Sequence, residues 1–488
     1  MLPALLPLLI LILVRWVFLD ARVIHHDEAV NGWFIDGLLQ RGYYVYDPQN
    51  YHGPLFFYWT ALSEMIFGRS VVALRIPAVL FGSLLTLAPF LFRRWIGVPA
   101  AFLASCMLAV SPAMVFFSRY AIHETAFAFF EALFLAVWLH CRTDGWSRNR
   151  AVALGLVLGL MAGIKENFVI LGAAVLFSEW ALAVFHRREG RVPGLFPVIR
   201  DAGFWRFWGV AAATAALVIV VTFTGGFQDG EGVRKFFEAF LKWMHTGTRG
   251  NGHEKPFYYW LQLMGRYEWA AFLGLLMVPF FFKRANDPLR LIGLTGSALL
   301  LVYSLVSYKT PWCLLSFHWT FVIFGSALFV QVAEDRIHRA GVRLFLLAGI
   351  VGSIHQAVDV AFLNPEQDGH PYIYGQTYPD LIAPVERILE RFREHPAGTE
   401  DLRVQVLSGS TWPLPFLLGG MRKAGYYSEA NAPPVLDADF VIMDENLLER
   451  FSRRLKGAYS HECVRSRQWA QKMCFFTRLP DTKGPSDR

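Results

Sequence analysis

The sequence predicts an α-helical polytopic membrane protein with about 11 spanning helices and a small C-terminal α/β domain. Three observations lead there. Of the 488 residues, 55% are hydrophobic and 17% charged, against about 25% charged in a soluble domain. Apolar runs recur that approach the roughly 20 residues a bilayer core demands. After residue 363 no such run follows, and short strand-like and helix-like patterns take over. The net charge of +7 fits basic cytoplasmic loops, so no nucleic-acid partner is expected.

The spans read as 2–19, 71–92, 98–118, 120–141, 151–164, 167–185, 205–224, 268–282, 288–307, 311–332 and 342–361. Residues 2–19 are read as a retained helix. Arg15 interrupts the run, its start is not basic, and no small-residue cleavage site follows. Between spans one and two, residues 28–41 and 54–67 have apolar side chains at helical spacing. Both are rich in aromatic residues and read as helices lying in the membrane interface. The segment 225–260 holds one short amphipathic helix and a Gly-rich stretch.

Sidedness follows from the loops. Arg93-Arg94, Arg142/Arg148/Arg150, Arg187-Arg188/Arg191, Lys283-Arg284 and Arg336/Arg339 fall at every second connection. The positive-inside rule then predicts a plasma (inner) membrane protein with a cytoplasmic N-terminus. Residues 20–70 and the C-terminal tail would lie outside. The domains are expected at 1–363 and 370–480. In the tail, 381–394 reads as an amphipathic helix, 404–408 and 439–444 as buried strands, 446–456 as a basic helix and 474–479 as a last strand. The five cysteines show no metal-type spacing. Cys463 and Cys474 are candidates for a disulfide if the tail faces an oxidising compartment.

Chemistry concentrates at the predicted outer face. Asp27 and Glu28 follow span one, and two adjacent acids at the mouth of a lipid-embedded helix are costly unless used. Tyr51 and His52 lie between the interfacial helices. Arg119, His123 and Glu124 open span four, Lys165 and Glu166 join spans five and six, and Tyr308 and Lys309 join spans nine and ten. An anionic head group would meet Arg119, Lys165, Lys309 and His52. A hydroxyl awaiting activation would meet Asp27 or Glu124. The segment His25-His26-Asp27-Glu28, or His123 with the acids, could hold a divalent ion. Consecutive residues on a helix point in different directions, however, so no metal or other cofactor is required. Asp27 could also serve as a helix N-cap for 28–41, and both readings can hold at once.

Four stretches resemble a known family. The Asp27-Glu28 pair, HGPLFFYW at 52–59, LRIPAVLFG at 74–82 and SRYAIHE at 118–124 are similar to membrane glycosyltransferases of the C-type (GT-C) fold. The likeness is to protein O-mannosyltransferases and to the transferases that place aminoarabinose on lipid A. It covers residues 1–200 well and the later spans loosely. It implies an inverting transfer of a sugar from a polyprenyl phosphate to an acceptor, with Asp27 as catalytic base and Glu124 as second acid. His52 stands where the lipid A enzymes carry a lysine that contacts the donor phosphate. PYIYGQTYPD at 371–380 further resembles a subgroup associated with archaeal-type N-glycosylation and lipid flipping. The alternative reading is a non-catalytic transporter of lipid-linked glycans or a flippase-associated protein. Sugar, acceptor and prenyl length stay open.

Overall fold

The computed structural model describes residues 2–190, 202–248, 252–334, 339–394 and 402–480. Arg191 and Arg336 of the basic loops lie outside them. The chain divides into two compact units, Met1–Leu19 with Ile35–Pro365, and Asp20–Phe34 with Glu366–Arg488. The segment 20–34, expected within the membrane domain, therefore belongs with the tail. The helix His26–Arg41 runs through the division.

The first unit is helical. Among the described residues seven helices are long and apolar enough to cross a bilayer: Val71–Ile96, Glu124–Asp144, Phe168–Arg188, Gly203–Phe223, Asp287–Leu305, Pro311–Ala333 and Ala340–Leu363. Val98–Val110 and Pro112–Ser118 form an eighth if the pair is one span bent by 63°. The other three expected spans appear as shorter helices, Leu2–Leu13, Arg148–Ile164 and Trp269–Phe281. A count of eleven full-length spans is thus not reached, because these helices are only 12, 17 and 13 residues long. Leu55–Phe67 forms as expected between them, and Gly232–Thr248 and Tyr259–Tyr267 occupy the second long connection.

The bend at Ser111 has a chemical cause. Pro112 supplies no N–H to continue the preceding helix. Ser111 instead caps the new helix by accepting from Met114 N–H. The buried Glu268 carboxylate accepts from the Ser111 hydroxyl and the Ala113 N–H, both at 2.7 Å, and lies 2.9 Å from His318 Nε2. On the other side of the break the buried Arg15 guanidinium donates to the carbonyls of Leu108 (2.7 Å) and Ala109 (2.9 Å). It also reaches the Thr86 hydroxyl at 2.7 Å. An arginine inside an apolar unit is tolerable where its two terminal nitrogens meet acceptors, as both do here.

The second unit carries a five-stranded sheet in the order β2-β1-β3-β5-β4. The strands are β1 (Val404–Leu407), β2 (Ala424–Tyr427), β3 (Phe440–Asp444), β4 (Tyr459–Arg465) and β5 (Lys472–Arg478). β1 pairs in parallel with β2 and β3, whereas β5 pairs antiparallel with β3 and β4. Alternation along β3 sends Phe440 and Ile442 to one face, where Val385 and Ile388 of the helix Ile382–Glu394 cover them. Val441 and Met443 face the other side, with Leu436 and Phe451. The basic stretch expected as one helix at 446–456 is a chain of short turns instead, Glu445–Leu447, Leu448–Phe451 and Ser452–Arg454. Cys463 and Cys474 lie directly opposite each other on β4 and β5 and are joined by a disulfide.

Candidate active site

In the first unit three separate stretches meet around His123. Residues 52–54 pack on the C-terminal end of the helix Arg148–Ile164, where Gly53 N–H donates to Ile164 C=O at 3.0 Å. Only glycine fits there, since a Cβ on Gly53 would stand 2.2 Å from the Gly163 carbonyl oxygen. This seat brings His52 Nδ1 to 3.1 Å from the Glu166 carboxylate. Glu124, the first residue of its helix, meets Lys165 just past the end of another, at 2.5 Å. Glu124, Lys165, Glu166 and His123 are all buried, while 27% of the His52 side chain is exposed. His52 is therefore the member of the cluster nearest to solvent. Tyr51 lies beside it, with ring centroids 4.9 Å apart.

Electrostatics divide the roles. Burial alone would lower the Lys165 ammonium, but Glu124, Cys313 and Glu166 outweigh it and hold its pKa well above the usual value. Lys165 stays charged. Burial, reinforced by His52 and Lys165, keeps the His123 imidazole well below its usual value, so that ring is neutral. It packs against His52, Phe56 and Phe57 at 4.9, 4.8 and 5.2 Å. Behind the cluster, Asn167 donates to the Tyr303 hydroxyl at 2.8 Å, and that hydroxyl lies 3.4 Å from Ser316 Oγ. Ser316 also bonds the buried Glu131.

Two expected phosphate ligands are committed to the backbone. Arg119 donates to the carbonyls of Arg15 (2.9 Å), Val17 (2.6 Å) and Phe18 (2.7 Å), with its guanidinium 4.2 Å above the Phe362 ring. Lys309 Nζ donates to the carbonyls of Val306 and Lys255. Its neighbour Tyr308 packs on His253 at 4.9 Å. These cations fasten loops through backbone carbonyls.

In the second unit the adjacent acids part ways. Glu28 is fully buried and accepts from His25 N–H at 2.9 Å, as the third helical residue of a capping box does. Arg22 lies 3.9 Å from its other oxygen. The Asp27 side chain is 38% exposed, so it is the acid that a substrate can reach. His25 holds the turn. Its Nδ1 accepts from Asp27 N–H at 3.0 Å and its Nε2 donates to Tyr374 C=O at 2.8 Å. Burial pushes its pKa down to about 3, which keeps the ring neutral. With both nitrogens engaged, His25 offers no lone pair to a metal. Among the described residues, no three His, Cys, Asp or Glu side chains converge as a metal site.

The sequence reading missed the partners that hold Val23 and His26, just ahead of Asp27. Gln376 donates to Val23 C=O at 2.9 Å, and Arg467 lies 2.7 Å from His26 Nδ1. Tyr374 and Gln376 belong to the 371–380 stretch already singled out. Its density of aromatic and amide groups was the available signal.

The fold is that of the C-type glycosyltransferases. The chain resembles ArnT from Cupriavidus metallidurans bound to undecaprenyl phosphate, with a TM-score of 0.64 at 16% identity over 99% of both chains. It also resembles the Archaeoglobus fulgidus oligosaccharyltransferase tethered to an acceptor peptide. There the TM-score is 0.57 at 13% identity, over 91% of this chain and 69% of the other. Residues 51–198 match the family model of the dolichyl-phosphate-mannose-protein mannosyltransferases. A comparison with curated protein sequences gives no significant match.

Proposed function

We propose that the protein is an inverting glycosyltransferase that moves a sugar from a polyprenyl-phosphate donor to an acceptor hydroxyl at the outer membrane face. The observation that carries this reading is the buried Glu124–Lys165 pair beside His52–Glu166, inside the stretch that matches the mannosyltransferase family. In the transfer, the acceptor oxygen forms a bond to the anomeric carbon and its proton passes to a carboxylate. Asp27 is the group for that task, being acidic and partly exposed. The bond from the anomeric carbon to the lipid phosphate oxygen breaks, and the phosphate leaves with the electron pair. A fixed cation offsets the charge that grows on it. Lys165 carries that role, with the more exposed His52 beside it. Glu124 holds Lys165 in place and in its charged form. Arg119 and Lys309 act as positioning residues for the loops they bind.

The test is a screen of radiolabelled polyprenyl-phosphate sugars with the full chain in proteoliposomes. Label should pass to an acceptor with wild-type protein and fail to pass with Asp27→Asn. Lipid translocation that survives Asp27→Asn, without sugar transfer by either form, would replace the enzyme with a transporter. Labelling of an Asp27→Cys variant from the cytosolic side would overturn the proposed orientation.

A further inference from the structure

Beside Asp27, the tail unit carries further groups that the transfer step itself leaves unused. Ligands of open α/β sheets gather at the carboxyl ends of parallel strands. Here β1 ends in Ser408-Gly409-Ser410 and β3 ends at Asp444. The Asp444 carboxylate accepts from the Ser408 hydroxyl at 2.8 Å and Gly409 N–H at 2.9 Å. Ser410 N–H donates to Ser408 Oγ at 3.0 Å. The Arg467 guanidinium feels the charges of both Asp444 and Asp27 and bonds His26. Trp412 follows the β1 loop, its ring 6.4 Å from His26 and 6.4 Å from Trp33, which is half exposed. Gly32 keeps the helix against the 413–418 turn, since a Cβ there would stand 2.4 Å from the Phe416 ring. The rings and the acids are thus held in one fixed arrangement within this unit.

We propose that this edge of the tail sheet binds a neutral sugar ring of a carbohydrate acceptor, with Trp412 and Trp33 against its apolar face and Asp444, Arg467 and Asp27 toward its hydroxyls. A half-exposed indole beside directional polar groups suits a ligand that is apolar on one face and polar at its rim. Two carboxylates against one guanidinium disfavour a phosphorylated acceptor and leave an uncharged polyol as the matching chemistry. The proposal rests on the transferase reading and names its acceptor class.

The test is donor-free. Saturation-transfer NMR would use the full chain in nanodiscs with mannotriose, cellotriose and a Ser/Thr-containing peptide as probes. A trisaccharide should give saturation transfer, and Trp33→Ala and Asp444→Asn should each weaken it about tenfold. Trp33 is exposed and Asp444→Asn preserves shape, so both variants should fold. Peptide binding in place of saccharide binding overturns the proposal, as does saccharide binding unchanged in both variants. Absence of any saccharide signal overturns it too, and Trp33 and Trp412 then serve as membrane anchors. Transfer assays are run separately. Failure of transfer with saccharide binding intact would sink the enzyme reading and not this site.

Discussion

Replacing Lys165 by methionine removes an ammonium that lies 2.5 Å from the Glu124 carboxylate. Both side chains are buried, so Glu124 would lose its partner without gaining water. Breaking a buried ion pair from one side costs about 3–5 kcal/mol. Adding Glu124→Gln removes the stranded charge, and about 2 kcal/mol or more of that loss should return. Sugar transfer should not return with it. Loss of one preorganised charge-stabilising group costs about 10²–10³ in kcat, and the double variant still lacks it. Thermal unfolding of wild type, both single variants and the double variant in nanodiscs reads the stability cycle. Radiolabelled transfer by the same four proteins reads the chemistry. A Lys165→Met protein as stable as wild type refutes the buried pair. A double variant that regains transfer together with stability refutes the role of Lys165 in the reaction and leaves the pair structural.

Asp27→Asn should abolish transfer with unchanged unfolding temperature, whereas Glu28→Ala should lower stability by about 1–3 kcal/mol by removing the buried carboxylate that accepts from His25 N–H. Parallel melting and transfer assays separate the two acids. Gly53→Ala should displace the 52–54 loop and break the His52–Glu166 contact, seen as lost transfer and faster hydrogen exchange at 52–58. For His25 the folded pKa of about 3 lies below the ordinary histidine value of 6.5, so the unfolded state binds the extra proton. The stability this group contributes is complete above about pH 6.5 and falls by about 1.4 kcal/mol per pH unit below it. Hydrogen exchange of residues 20–34 should accelerate from pH 6 toward pH 4, and a flat profile after correction for intrinsic rates would refute this. Cys463→Ser with Cys474→Ser should lower tail stability by up to about 3 kcal/mol, measured by its melting with and without reductant.

The fold class was legible because apolar runs and their basic connections are local patterns. The helix Leu55–Phe67 and the strands β1 and β3 were readable for the same reason. β2 was not, since its AGYY sequence contains Gly425 and every residue is half-buried. β4 was not either, because it lies at the sheet edge with much of its length exposed. The broken span carried a readable mark in Ser111-Pro112, a capping residue followed by proline. The cluster of His52, His123, Glu124, Lys165 and Glu166 was anticipated as a set of polar turns. Arg119 and Lys309 show the limit of that reasoning. A cation at a helix end has the same sequence signature whether it faces a ligand or three carbonyls. The association of 20–34 with 366–488 depends on Val23, His25 and His26 finding partners more than three hundred residues away, which no local pattern announces.

The break at Ser111 also bears on how the chain is made. Arg15 is synthesised before the carbonyls of Leu108 and Ala109 and can receive them as soon as they enter the bilayer. The carboxylate and imidazole on the far side of the bend, Glu268 and His318, leave the ribosome more than 150 residues later. Until then the new helix start at Ala113 has no acid to meet its N–H. Nascent chains arrested before residue 268 should therefore be vulnerable at this point, a natural place for membrane quality control to distinguish unfinished from finished protein.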